Sequence, residues 1–503
     1  MIQMLRASGF TVALLCAALS APRAQTPRSV SPVAEAVRLR DAGDLAGAAA
    51  RLRPYVREHP EDIAAARVLG QTLYWLKDFR AAREIYEDAF ARAPNDTALR
   101  LEFGRMLVET REDGRAKEIL TPLLLDVPEA STRANALLGT LAYWQGDYST
   151  ARRRFSTSLR ASPDQPEVRR QLLEIASATA PWIQVEGNVR DDDQPVTWLG
   201  TAAEGGAFLT PSTTISGRAE AMDLRSGDSV SVSVTMVEGG VTHYAPAARM
   251  EFEAQGGVVQ RSSGGPSEWV GRLGLGLRMP RHLTLRARAE RRPYFYTIAS
   301  LATPVISEGV VGVLGLDHPR GWTGEAAMEG HRYQDGNVVR GAYAWMLAPV
   351  LRGAAPQISA GYSLSAQNAD ETRFVAAASP PPASAGGGAP AGRYVPYYTP
   401  GNLLVQSVLA AMVVRPAPGT TLRLNGAYGV RATDDEPAAA EPRPRRSFSP
   451  WSARAAIELG QARALSVVVT AEMMRHSYYT SSTADVRMVY RFFALSQRRA
   501  DRR

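Results

Sequence analysis

The stretch Ala484-Asp485-Val486-Arg487-Met488-Val489-Tyr490-Arg491-Phe492-Phe493 decides the fold. Successive side chains of an extended strand point to opposite faces. Val486, Met488, Tyr490 and Phe492 therefore share one face, and Asp485, Arg487, Val489 and Arg491 the other. An apolar, aromatic-ended face backed by a charged one suits the wall of a closed barrel in a bacterial outer membrane, between lipid and a wet lumen. Two consequences follow: the pattern must recur upstream, and the N-terminus must carry an export signal.

The pattern recurs. At Ala180-Pro181-Trp182 the Ala/Leu/Glu/Arg mix gives way to Gly, Ser, Thr and aromatics in alternation. Sixteen strands are expected between 182 and 493, near 182–190, 196–208, 213–224, 229–240, 247–260, 267–279, 282–296, 305–317, 321–333, 337–348, 356–368, 402–415, 420–432, 450–460, 464–478 and 483–493. Leu283, Leu285, Ala287 and Ala289 oppose Thr284, Arg286, Arg288 and Glu290. Leu422, Leu424, Tyr428 and Val430 oppose Arg423, Asn425 and Arg431. A soluble sandwich alternates too, but three features favour a membrane barrel. With a periplasmic N-terminus, the short connections 279–282, 318–321 and 460–463 fall on the periplasmic side and the long ones, 369–401 and 433–449, outside. An even strand count returns the chain to the periplasm. Trp182, Trp198, Trp269, Trp322, Trp345 and Trp451 all stand near expected strand ends, where an aromatic girdle lies.

The N-terminus carries the signal. Arg6, the apolar run 10–19 and the small-residue zone Ser20-Ala21-Pro22-Arg23-Ala24 read as a secretory segment, 1–24. Cys16, the single cysteine, lies inside it, so disulfides and cysteine-held metals are not expected. The chain of 503 residues has a formal charge of +8. No basic stretch interleaved with aromatics forms a nucleic-acid module, so neither DNA nor RNA is an expected partner.

Between signal and barrel lies a repeat. Pro60, Pro94 and Pro128 are 34 residues apart and Pro163 follows after 35. Ala48, Ala82, Ala116 and Ala151 share a second position, Gly70, Gly104 and Gly139 a third, and Tyr86 and Phe155 a fourth. Small residues let two helices cross closely, the aromatic fills the gap beside them, and proline ends the second helix. This resembles the tetratricopeptide repeat, a helical hairpin with a 34-residue period. Four units are read, 29–62, 63–96, 97–130 and 131–165, with a closing helix near 167–178. Ala36 stands in the first unit where the others have glycine. The resemblance implies a groove that holds peptides or partner proteins.

The expected fold is thus α + β and multidomain: a tetratricopeptide α-solenoid over 29–178, a transmembrane antiparallel barrel of about 16 strands over 182–493, and a basic periplasmic tail, 494–503. Catalytic constellations are thin. The adjacent pair His476-Ser477 has no oriented third group. The run Asp191-Asp192-Asp193 reads as a solvated loop. No enzyme, cofactor or metal is expected. Alternation assigns Arg218, Arg249, Arg272, Arg278, Arg286, Arg288, Glu290, Arg423, Arg431, Arg454, Arg487 and Arg491 to the lumen, together with Glu220, Glu251, Glu253 and Glu458. Such charges tune a pore's selectivity or pair across strands to hold the wall. In the loop 369–401, Tyr394, Tyr397 and Tyr398 are candidates for stacking on sugar.

Signal, repeat array and barrel, in that order, resemble bacterial exopolysaccharide export porins, the cellulose synthase operon protein C and the poly-N-acetylglucosamine porin. Tyr397-Tyr398-Thr399-Pro400 is similar to an aromatic-aromatic-Ser/Thr-Pro element of the cellulose family. Tyr143-Trp144-Gln145-Gly146-Asp147-Tyr148 is similar to the repeats of YaiO-type outer-membrane proteins. These resemblances imply polysaccharide export through an outer-membrane barrel whose repeats recruit periplasmic partners. The alternative is a non-conducting membrane anchor that displays the repeats for envelope assembly.

Overall fold

The computed structural model describes residues 31–193, 196–227, 230–280, 282–352, 356–376, 392–439, 442–460 and 464–492. The expected signal segment with Cys16, the proline- and glycine-rich centre of 369–401, and the tail 494–503 lie outside them. The helices run α1 (Pro32–Asp41), α2 (Leu45–Glu58), α3 (Ile63–Trp75), α4 (Phe79–Arg92), α5 (Thr97–Glu109), α6 (Asp113–Leu120), α7 (Pro128–Trp144), α8 (Tyr148–Ala161) and α9 (Pro166–Ala178), with a 3-10 turn, Thr121–Leu125, after α6. The chain forms two compact units that divide between Ala130 and Ser131. Near 180 the helices give way to strands.

In the first unit the repeat positions have a direct steric meaning. A methyl group on Gly70 would sit 2.8 Å from the Tyr86 ring, and one on Gly104 2.3 Å from Leu120. In the first hairpin Ala36 holds the glycine position and Leu52 the aromatic position, and both are fully buried. Each helix start also needs acceptors for its unpaired N–H groups. Asp44, Asp62, Asp78 and Asp96 supply them, accepting from Gly47, Ala65, Ala81 and Leu99.

In the second unit Gly139 lies against Phe155 in the same way, and Asp147 caps α8. Strands follow in order: β1 (Trp182–Asp192), β2 (Thr197–Thr210), β3 (Thr213–Ser226), β4 (Val230–Ala245), β5 (Met250–Arg261), β6 (Glu268–Met279), β7 (Leu283–Pro293), a short α10 (Ile298–Ala302), β8 (Ile306–Asp317), β9 (Thr323–Tyr333), β10 (Val338–Arg352), β11 (Gln357–Ala369), β12 (Phe374–Ala376), β13 (Gly392–Tyr394), β14 (Leu403–Ala417), β15 (Thr420–Asp435), β16 (Arg445–Ser447), β17 (Trp451–Leu459), β18 (Leu465–Arg475) and β19 (Thr480–Arg491). β12 pairs only with β13, and the three-residue β16 with β15. The other sixteen pair antiparallel with their chain neighbours, and β19 pairs with β1 from Trp182↔Arg491 to Asp192↔Ser481. The sheet is a closed sixteen-strand barrel. Closure leaves no unpaired edge, the condition for crossing lipid with strands.

Residues 484–491 lie in the closing strand β19, with Val486, Met488 and Tyr490 each about 40% exposed on the outer face. Two expected strand starts are corrected. Residues 246–249 form a turn, with Arg249 at φ 55°, and His282 stands in a turn at φ 64°. Among the described residues no helix is long and apolar enough to cross a membrane.

Candidate functional site: the barrel interior

Residues directly opposite one another in an antiparallel pair share a face, so one ion pair across the lumen orients a whole strand. The near end is taken as the end where β1 begins, and the far end as the end where β1 finishes.

The middle and near part of the lumen is a lattice of paired charges. Arg218 lies 3.0 Å from Glu220, 3.4 Å from Glu186 and 3.6 Å from Glu204. Arg272 meets Glu253 at 3.5 Å and Glu290 at 3.7 Å, and Arg288 meets Glu290 at 3.2 Å. Arg286 pairs with Glu325, Arg423 with Glu458 and Arg454 with Glu472. Arg487 stands opposite Glu186, Arg491 opposite Trp182, and the Arg278 guanidinium lies over the Tyr244 ring. Glu251 lines a cavity of about 390 Å3 with Arg286 and Arg288. A second cavity, of about 420 Å3, has Arg218, Glu238, Arg272 and Arg292 in its wall. Sequence reading missed Arg292 and Glu238, which pair at 2.6 Å; Glu238 is the most buried of these paired carboxylates and Arg292 the most buried of these paired guanidiniums. Alternation carries Arg292 inward from Glu290, so the expected strand 282–296 already held the signal.

Two assigned lumen residues are corrected. Arg249 lies in the β4–β5 turn described above. Arg431 faces outward: a register shift at Gln406/Ser407 sets it opposite Gln406, whose side chain accepts from the outward Tyr362 hydroxyl. A bulge inserts a residue and flips every later side chain to the other face. Parity also corrects the tryptophan girdle. Trp269 and Trp322 are exposed, and Trp451 pairs with the exposed Tyr428. Trp182, Trp198 and Trp345 instead face inward, opposite Arg491, Arg190 and Glu325.

On the β3–β6 side the far part of the lumen holds an apolar cluster. Met222, Leu224, Val232, Val234, Met236, Val259 and Val270 point inward from β3 to β6 and are buried under Phe295 and Leu301. Those two residues come from the β7–β8 connection, 294–305, which folds into the barrel. Thr297 caps α10, and its hydroxyl donates to the Pro396 carbonyl of the next inward loop. Arg261 Nη1 donates to the Ser300 carbonyl at 2.9 Å.

The three tyrosines expected to meet sugar sit in this cap. Tyr397 is 1% exposed, stacked on Tyr333 at 3.5 Å, with its hydroxyl donating to Asp335. Tyr398 stacks on Tyr478 at 4.0 Å, and Tyr394 meets both edge to face. Tyr294 lies edge to face with Tyr397, and its hydroxyl accepts from the Tyr398 N–H. The stacking reading is corrected for this structure: these rings are spent on one another.

His476 belongs to the same cap. Its Nδ1 is 3.2 Å from Ser477 Oγ, its ring meets Tyr398, Tyr478 and Tyr479, and burial followed by the Arg446 charge pushes its pKa down to about 4. Asp434 is engaged by Arg446 at 2.7 Å. The run Asp191-Asp192-Asp193 is structural: the three carboxylates accept from Thr197, Val196 and Thr480.

At the near end the Tyr244 hydroxyl donates to the Gln145 carbonyl at 2.7 Å. Gly146, at φ 77°, has no room for a side chain there, because a methyl would lie 2.8 Å from the Tyr244 ring. The α7–α8 turn is thereby pinned to the β4 end of the barrel.

The tetratricopeptide repeat family model matches residues 39–96 and 76–141. No curated protein matches the chain. Among solved structures, a bacterial polysaccharide outer membrane secretin aligns with 62% of this chain and 99% of its own at 10% identity and a TM-score of 0.48. The Pseudomonas aeruginosa pilF structure aligns with 28% of this chain and 65% of its own at 21% identity and a TM-score of 0.27. A MamA structure aligns with 28% and 78% at 18% identity and a TM-score of 0.26. The architecture of this chain is a set of tetratricopeptide repeats followed by a closed sixteen-strand antiparallel barrel.

Proposed function

We propose that the chain is an outer-membrane barrel that passes an elongated polar solute, a polysaccharide, while its periplasmic repeats hold partner proteins. The observation that carries this reading is the contrast inside one wall. Charged, cavity-bearing lumen lies beneath a cap made of connections and not of strands. Connections move without breaking the hydrogen-bonded wall, so a lumen closed this way opens at little cost to the barrel. The apolar outer face, with Leu273 63% and Val310 63% exposed, is costly in water and suited to lipid. The order of parts and the Tyr397-Tyr398-Thr399-Pro400 element support polysaccharide as the cargo. No catalytic step is assigned, and no cofactor.

Single-channel recording in a planar bilayer tests the reading. With 294–305 and 392–401 both shortened, a neutral oligosaccharide on one side should give resolved current blockades. A shortened barrel that inserts yet conducts nothing sinks the transport reading. One observation favours a second reading, a non-conducting anchor for the repeats: the cap is tightly packed, with Tyr397 and Leu301 at 1% and 0% exposure.

A further inference from the structure

The outer wall carries a feature that neither lumen nor repeats explain. Across five neighbouring strands runs one direct cross-strand row: Tyr362↔Val408, Val408↔Tyr428, Tyr428↔Trp451 and Trp451↔Arg475. Tyr362, Val408 and Tyr428 are 46%, 47% and 54% exposed, so the row lies on the outer face. Arg475 shares that face by its pairing, and opposite parity to the inward Glu472 agrees. One step toward the far end, the register shift at Gln406 turns Arg431 outward as well. Arg431 and Arg475 thus stand on the outer wall on strands about 10 Å apart, at ~4.8 Å per strand, with Arg431 two register positions farther toward the far end. Exposed Met473 and Ile457 lie on the same face, closer to the middle of the wall.

We infer that this patch binds the phosphorylated headgroup of an outer-leaflet glycolipid. The inference rests on the outer-membrane reading above, which puts the far end at the outer leaflet. Arginine forms forked, charge-assisted hydrogen bonds to phosphate. Tyrosine and tryptophan seat at the boundary between headgroup and acyl chain, and the apolar wall beneath accepts the chains. A guanidinium facing pure hydrocarbon is costly, so an anion at that level stabilises it. The bulge that presents Arg431 gains a purpose: without the shift this side chain would point into the lumen.

The full chain is reconstituted in phosphatidylcholine vesicles carrying either diphosphorylated lipid A or the same lipid dephosphorylated, and lipid retained after repurification is counted. Wild-type protein is expected to retain the diphosphorylated form about tenfold better, the effect of roughly one good charged contact. R431Q/R475Q should lose that preference, R431K/R475K should keep part of it, and R80Q in α4 should keep all of it. Heat-modifiable migration on a gel verifies that each variant is folded. Equal retention of the two lipids, or a folded R431Q/R475Q that keeps the preference, overturns the proposal. Failure to float with either vesicle overturns the membrane reading, and this one with it.

Discussion

The near and far parts of the lumen are built from the same strands but held by opposite physics. Below, ions of both signs pair across the wall, as Arg218 does with three glutamates, and cavities remain between them. Such pairs, part-exposed to a wet interior, contribute little net energy each, because desolvation offsets attraction. Above, Phe295, Leu301 and eleven aromatic or apolar neighbours are buried, and burial of this kind is where packing energy concentrates. Under the proposed transport, the ion-lined part sets what can pass, and the packed connections set whether anything does.

The largest effect should come from removing that difference. Replacing 294–305 with a short Gly-Ser turn exposes the apolar floor and should raise conductance from a closed baseline to that of an open pore. Unchanged conductance would show that the cap is not the barrier. A smaller cut in the same half, Tyr397→Ala, removes a stacked and hydrogen-bonded ring at a cost of about 3–5 kcal/mol. Hydrogen exchange should quicken in 392–402 while β1 and β19 stay protected; equal loss in both would mean that the halves are not independent.

Acid provides a reversible version. His476 is held neutral, with its pKa down from 6.5 to about 4. Charged or titratable groups around it are Arg446, Asp434, Tyr398, Tyr478 and Tyr479. An imidazole freed by opening binds a proton below pH 6.5, whereas the buried one does not until about pH 4. The closed cap therefore loses stability as pH falls through that window, by up to about 3 kcal/mol. Channel opening should rise between pH 6.5 and 4, and His476→Phe should flatten the curve. In the wet half, Glu238→Gln leaves Arg292 without its carboxylate. The expected outcome is a cost of about 1–3 kcal/mol and, in the opened barrel, a shift of selectivity toward anions. Reversal potentials in a salt gradient measure it. Smallest is Asp147→Ala, about 1 kcal/mol from a lost helix cap, read as earlier melting of helical circular dichroism with the barrel unchanged.

How much of this was legible depends on the range of the interaction. Alternation in 283–290 oriented Arg286, Arg288 and Glu290 correctly, because a strand's own pleat settles which residues share a face. Arg431 escaped the same logic because the shift that turns it is a mismatch between β14 and β15, visible only when both are paired. Trp198 stands near a strand end as a girdle requires, yet sequence position marks height along the wall and not side; Trp345, expected near an end, falls mid-strand because β10 runs on to Arg352. The cap was least legible of all. Tyr294, Tyr333, Tyr397 and, through Tyr398, Tyr478 are separated by up to 184 residues and come together only because three connections and the end of β9 converge on one mouth.

The sequence by itself determined the two periodic parts. A 34-residue period with small residues at the crossing specifies helical hairpins, and a two-residue period with an apolar side specifies a barrel wall, since both are local geometry repeated. Tertiary structure alone decided that the wall closes through Trp182↔Arg491, that Arg431 points outward, and that the far end is shut by 294–305 and Tyr397. Each of these depends on contacts between residues far apart in the chain, whose energy no local pattern records.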